Sequence, residues 1–364
     1  MALKRILIAG GGTGGHIFPA VAVANALKKA DPDIEILFVG AKGKMEMEKV
    51  PQAGYKIEGL DIAGFDRSSL IKNISLPIKL IKSFWQVKQI FKTFKPDAAF
   101  GVGGYSSFPV LKYAQQKGIP TFIHESNAFA GKSNILLGKN ATLVMVAATG
   151  MEKFFPKEKI VVTGNPIRSK ITETAKISRQ DAVKAFGLDV SKKVVFAMGG
   201  SLGAKSINES VDAGISSILE NDLQLIWQTG KLYEEQAKQS ASNKTGVYTS
   251  TFISDMETAY GAADFIVSRA GAMSVAELCV VGKPVIFVPF PFAAEDHQTA
   301  NAKSLVDKNA ALMISDSDVR SKLISELLKL NNDTTKAETL SRNIKESAVA
   351  SADVTIADLI IKNV

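Results

Sequence analysis

A chain of 364 residues is long enough for two ordinary domains, and a hydrophobic content of 46% supports real cores and excludes a disordered polymer. The net charge of +8 is local: between Asp66 and Asp97 stand Arg67, Lys72, Lys79, Lys82, Lys88, Lys92 and Lys95 with no acid among them. That pattern implies a local acidic partner and argues against diffuse nucleic-acid binding. The start, MALKRILIAGGG, does not read as a secretory signal, and the uncharged stretch of residues 10–27 holds five glycines, a proline and a histidine and is rejected as a membrane span. A single Cys279 in an apolar helix fits a cytosolic, reducing setting.

In chain order, residues 5–10 form a buried-type strand, and GGGTGGHIFPA leads into a helix expected over 18–29. Gly10, Gly12 and Gly15 satisfy G-x-G-x-x-G, yet the next strand, 34–40, closes on Gly-Ala-Lys, without the acidic residue that a dinucleotide fold uses to hold a ribose. What remains is a glycine-rich anion loop with His16 at the mouth of a helix. The dipole there favours neutral imidazole, which suits a general base; the alternative is a histidine that only caps the loop. Strands are expected at 55–62, 97–101, 121–125, 142–147 and 160–164, alternating with helices as in a parallel α/β sheet. A second glycine loop, Gly103-Gly104-Tyr105-Ser106-Ser107, opens a helix, and His124-Glu125-Ser126-Asn127 closes a strand with four polar side chains.

Residues 75–95 should be helical. Leu80, Phe84, Val87, Phe91 and Phe94 share one side, while Ile78, Ile81 and Trp85 occupy an adjoining arc beside Lys88 and Lys92. So wide an apolar arc with lysines and no acids has the composition of a contact with anionic lipid; the alternative is a helix wedged between core layers. The α/β pattern ends near Gly164-Asn165-Pro166-Ile167-Arg168, so the domains are expected over 1–165 and 166–344, with a helix at about 345–364 crossing back onto the first.

The second half restarts the plan. A strand over 194–198 runs into Gly199-Gly200-Ser201-Leu202-Gly203-Ala204, an echo of the first glycine loop, and strands follow at 224–228, 247–252, 264–268, 285–289 and 311–314. The turn Ala270–Ser274 then opens a helix over 274–281 whose N-terminus suits a phosphate, with Glu277 one turn further on, where a carboxylate can accept from ribose hydroxyls. A nucleotide diphosphate is the simplest ligand with both features; an ordinary βα turn with a solvated Glu is the alternative.

S-R-A-G-A-x-[ST]-x-x-E, then G-x-P-x-[IVL]-x-[IV]-P and D-H-Q-x-x-N-A, resembles the nucleotide-sugar signature of the N-acetylglucosaminyltransferases that complete the lipid-linked disaccharide-pentapeptide of bacterial peptidoglycan. GGTGGH, HE-x-N, NP-x-R and GGS-x-GA extend the resemblance from Gly10 to Ala302. Ser126 and Leu202 depart from it, each where glutamine is commoner, and Ser-Ser-Phe-Pro follows the second glycine loop.

The resemblance implies a GT-B type α/β fold, two Rossmann-like domains with parallel sheets facing a central cleft. It implies inverting transfer from UDP-N-acetylglucosamine to the C4 hydroxyl of undecaprenyl-pyrophosphoryl-muramyl-pentapeptide. Arg168, Ser201, Ala272, Met273 and Ser274 would hold the donor's diphosphate, Glu277 its ribose, Ile253 its uracil, and Gln298 and Asn127 its sugar, with Thr13, Gly14, Gly15, Leu202 and Gly203 also on the donor. His16, or its rival Glu125, would be the base, and both would meet the acceptor together with Gly104, Tyr105 and Ser106. Ile78, Ile81, Trp85, Lys82 and Lys88 would touch an anionic membrane surface at the cytoplasmic face. No cofactor is expected and no metal, because Asp31-Pro32-Asp33 is a helix–strand turn on the wrong edge. Cell-wall synthesis or division proteins are expected partners. Alternatives are a relative that glycosylates another membrane lipid, a nucleotide-sugar epimerase of similar fold, and a non-catalytic UDP-sugar sensor.

Overall fold

The computed structural model describes residues 3–62, 76–167, 171, 177–200, 202–293 and 296–364. They form two units, Met1–Arg168 with Ser351–Val364, and Ser169–Ala350.

The first unit is a seven-stranded parallel sheet of β1 (Arg5–Ala9), β2 (Glu35–Ala41), β3 (Lys56–Leu60), β4 (Ala98–Gly101), β5 (Thr121–Glu125), β6 (Leu143–Val146) and β7 (Ile160–Val162), in the order β3-β2-β1-β4-β5-β6-β7. Both faces of its central strands are covered, which is why RILIA reads as a continuous apolar run rather than an alternating one. Ile6, Ile8, Phe100 and Phe122 pack on one face with Val23 and Leu27 of the helix Gly14–Ala30. Leu7, Ala9, Ala99 and Ile123 pack on the other with Val87, Phe91, Val110 and Leu111. The helix Ala352–Lys362 lies against Gly14–Ala30 through Ile356, Ala357 and Ile360, all buried. Each such isoleucine contributes roughly 1.5–3 kcal/mol by leaving water.

The helix expected from residue 18 begins at Gly14. Thr13 takes the extended conformation of an N-cap and its carbonyl accepts from the N–H groups of His16 (3.1 Å) and Ile17 (3.2 Å), so the first turn forms despite two glycines of poor helical propensity.

The second unit is a six-stranded parallel sheet of β8 (Lys193–Met198), β9 (Leu223–Gln228), β10 (Val247–Ser250), β11 (Phe265–Ser268), β12 (Val285–Phe287) and β13 (Leu312–Met313), ordered β10-β9-β8-β11-β12-β13. Trp227 is fully buried and satisfies its indole N–H on Asn208 Oδ1 at 3.0 Å. Cys279 is buried in the helix Ala272–Val281, and that burial pushes its thiol up to about 12. We expect the folded protein to resist iodoacetamide at pH 8 and to be alkylated only in denaturant; rapid labelling of the native state, read by mass spectrometry, contradicts this.

The strand order reverses between β1 and β4 in the first unit and between β8 and β11 in the second. Ligands of open parallel sheets bind outside the carboxyl ends of the strands at such a reversal. The motif-bearing glycine turns after β1, β4, β8 and β11 lie at these two points.

Candidate active site

In the first unit the two glycine loops are packed against each other. Gly104 has φ +86°, and a Cβ there would come within 2.4 Å of the Gly11 carbonyl oxygen. Gly103 has φ +98°, and a Cβ there would meet His16 Cε1 at 2.7 Å. Only glycine permits both the backbone and the approach, so the half-buried His16 ring is held by direct contact with the second loop. Ser107 ties that loop down, its hydroxyl in hydrogen-bond contact with the carbonyl oxygens of Ala9 (2.8 Å) and Gly103 (2.7 Å). Ser106 is buried, with no partner for its hydroxyl among the described residues, and Tyr105 is half exposed. Thr13 is exposed, and Gly14 and Gly15 are half-buried in the first turn beside His16.

At the end of β5, His124 is fully buried with Nε2 on the Gly164 carbonyl at 3.0 Å. Burial first, and the proximity of His16 second, hold it down to about 4 against the opposing pull of that carbonyl. It is therefore neutral throughout the physiological range. Because the unfolded chain binds this proton below about 6.5, His124 costs stability as pH falls from there through 4.

Glu125 is buried and its carboxylate is saturated. Oε1 accepts from Asn127 N (3.1 Å) and Asn127 Nδ2 (3.3 Å), and Oε2 from Gly131 N (3.0 Å) and Asn134 Nδ2 (2.9 Å). The residue thus organises the turn that carries Asn127 and the start of the helix Lys132–Gly138.

In the second unit, the Gly203 N–H donates to the Gly200 carbonyl (3.1 Å), closing the turn that presents an exposed Leu202. Gln228, buried at the end of β9, donates to that same carbonyl (3.1 Å) and accepts from the Ile253 N–H (2.9 Å). The Ile253 backbone donor is therefore already committed within the protein. The helix expected from 274 starts at Ala272, so Ala272, Met273 and Ser274 are its first turn rather than a loop before it, with Gly271 extended at the cap. Glu277 is buried instead of solvated, 3.3 Å from the hydroxyl of buried Tyr260. Gln298 Oε1 accepts from Phe290 N–H at 3.0 Å. Arg269, directly after β11, donates to the carbonyls of Val288 (3.0 Å) and Pro289 (3.1 Å) and to the Asp316 carboxylate, joining the loops after β11 and β12.

Arg168 and Ser201 lie outside the described residues. Thr13, Gly14, Gly15 and Asn127 belong to the first unit, whereas Leu202, Gly203, Ile253, Ala272, Met273, Ser274, Glu277 and Gln298 belong to the second. Sequence reasoning missed Gln228, Tyr260 and Arg269. Arg269 stood inside a quoted motif, while Gln228 and Tyr260 offered no local signal.

The basic helix spans Leu76–Phe94. Val87 and Phe91 are core residues, but Leu80, on the same side by spacing, is 37% exposed, and Ile78, Ile81 and Trp85 are 71%, 73% and 62% exposed. Lys88 is exposed; Lys82 is paired with Asp61 at 2.9 Å, so its charge is partly neutralised. Among the described residues no helix is long and apolar enough to cross a membrane.

The glycosyltransferase family 28 N-terminal domain matches residues 6–146, and the family 28 C-terminal domain residues 194–356. A UDP-N-acetylglucosamine–N-acetylmuramyl-(pentapeptide) pyrophosphoryl-undecaprenol N-acetylglucosamine transferase of Phocaeicola vulgatus is 50% identical over 98% of this chain and 96% of its own. The transferase of the same name from Parabacteroides distasonis is 49% identical over 100% and 99%. The crystal structure of MurG from Acinetobacter baumannii is similar with a TM-score of 0.80 at 30% identity, covering 99% of both chains. With its two glycine-loop units and these full-length likenesses, the chain belongs to glycosyltransferase family 28 and has the GT-B fold.

Proposed function

We propose that the protein transfers N-acetylglucosamine from UDP-N-acetylglucosamine to the C4 hydroxyl of undecaprenyl-pyrophosphoryl-muramyl-pentapeptide, the lipid I to lipid II step of peptidoglycan synthesis. The observation that carries this is the match along essentially the whole chain, at about half identity, to transferases of that name. The geometry supports it. In the second unit the N-terminus of the helix Ala272–Val281 and the Gly200–Gly203 turn follow the neighbouring strands β11 and β8, and donors of that kind stabilise the charge that grows on a departing diphosphate. Glu277 takes the ribose, the Ile253 carbonyl the uracil, and Gln298 the sugar.

In the first unit His16 removes the proton from the attacking hydroxyl. Glu125 is the weaker candidate because its four hydrogen bonds leave little capacity to accept a fifth proton-bearing group. Ser106, whose buried hydroxyl has no partner among the described residues, serves the acceptor together with Tyr105 and Gly104 beside it. Labelled UDP-N-acetylglucosamine incubated with a short-chain muramyl-pentapeptide acceptor should yield a labelled disaccharide product. Turnover on a lipid acceptor lacking the pentapeptide, or none on either, would overturn the assignment.

The protein works as a peripheral protein on the cytoplasmic face of the membrane, with Ile78, Ile81 and Trp85 entering the acyl boundary and Lys88 at the headgroups. Such side chains each contribute roughly 1.5 kcal/mol or more on burial. Changing Ile78 and Ile81 to Ser and Trp85 to Gln together should lower co-sedimentation with phosphatidylglycerol vesicles by ~10²-fold or more, while activity on a short-chain acceptor persists. Vesicle binding indifferent to both the substitutions and salt rules out this surface.

A further inference from the structure

We propose that Glu46 is a positioning residue for the transfer: an internal carboxylate that grips the first glycine loop from behind and thereby fixes His16. The proposal rests on the assignment of His16 as base. Glu46 opens the helix Glu46–Gln52, and its side chain is fully buried. Oε2 accepts from the Gly12 N–H at 2.8 Å and Oε1 from the Ala41 N–H, just past the end of its strand's pairing with β1, at 3.0 Å. The cavity is made for it. A Cβ on Gly11 would lie 2.1 Å from Glu46 Oε1, and one on Gly40 2.5 Å from Glu46 Cγ.

A buried carboxylate is costly unless donors satisfy it, and these two charge-assisted bonds do so. In glycine loops that bind nucleotides such N–H groups turn toward the phosphate. Here the Gly12 donor is already taken, and by an anion belonging to the protein. Thr13 follows directly, and its carbonyl receives the His16 and Ile17 N–H groups. The grip on Gly12 therefore reaches the turn that bears the imidazole, while Gly103 bounds the ring on its other side. The loop is a rigid seat for a base, held by one side chain from the helix that follows β2.

Glu46→Gln preserves size but can accept through only one terminal atom, so one of the two N–H groups loses its partner. We expect kcat to fall by about 10- to 10²-fold, the scale of a displacement near 1 Å, with UDP affinity within about twofold of the parent because Glu277 and Ile253, assigned to the ribose and the uracil, sit in the other unit. The NMR signal of the His16 ring should shift while that of His297 does not, and Glu46→Asp, which restores the charge, should recover part of the turnover. A folded Glu46→Gln with kcat within about threefold of the parent, or an unmoved His16 signal, overturns the proposal. If Glu46→Gln does not fold, the same two readouts on Glu46→Asp decide it. Failure of the base assignment is read separately, from His16→Ala.

Discussion

His16→Ala should lower kcat by ~10²–10⁴-fold, the contribution of a positioned general base, while UDP binds as tightly as before. A sugar hydroxyl is unactivated near neutral pH and needs an acceptor within hydrogen-bond reach. His16 offers imidazole at a helix N-terminus, where the dipole favours the neutral, proton-accepting form. The acid limb of the kcat/KM profile should vanish in this variant. His124 cannot supply that limb near neutrality, since burial keeps it unprotonated down to about 4. Glu125→Gln should behave differently. It disturbs four bonds that hold residues 127–134, so turnover and thermal stability should fall together. A fall confined to the acceptor KM in His16→Ala would assign His16 to binding instead.

Glu277→Ala should weaken UDP binding by about 10- to 150-fold, from the loss of charge-assisted bonds worth roughly 1.5–3 kcal/mol. The carboxylate is buried rather than loosely solvated, and the Tyr260 hydroxyl at 3.3 Å helps to orient it. Tyr260→Phe removes only that hydroxyl and should cost less, about 0.5–1.5 kcal/mol. Titration calorimetry with UDP alone measures both. UDP-glucose and UTP should compete with UDP in the parent, since the contacts read the nucleotide more than the sugar. Unchanged UDP affinity in folded Glu277→Ala removes this residue from the donor site.

What the sequence determined by itself was whatever is written in contiguous residues. The glycine loops, the SRAGA…E unit and the buried-strand runs announce a parallel α/β chain in two similar halves, because backbone freedom, helix caps and two-sided burial are local demands on residue type. The basic helix was legible in the same way, from the apolar spacing of Ile78, Ile81 and Trp85. Partnership across the fold was not. Glu46 lies in KMEMEK, a stretch with no motif, yet the parallel pairing of β1 with β2 brings Gly12 and Ala41 to one carboxylate. Gln228 closes an ordinary strand, and only sheet order sets it between Gly200 and Ile253. Glu125 looks like a free acid until Gly131 and Asn134 fold back onto it. The sign of a carboxylate's role, acceptor of a substrate proton or brace for a backbone turn, depends on which donors surround it. Those donors come from residues distant in the chain, and tertiary structure alone brings them there.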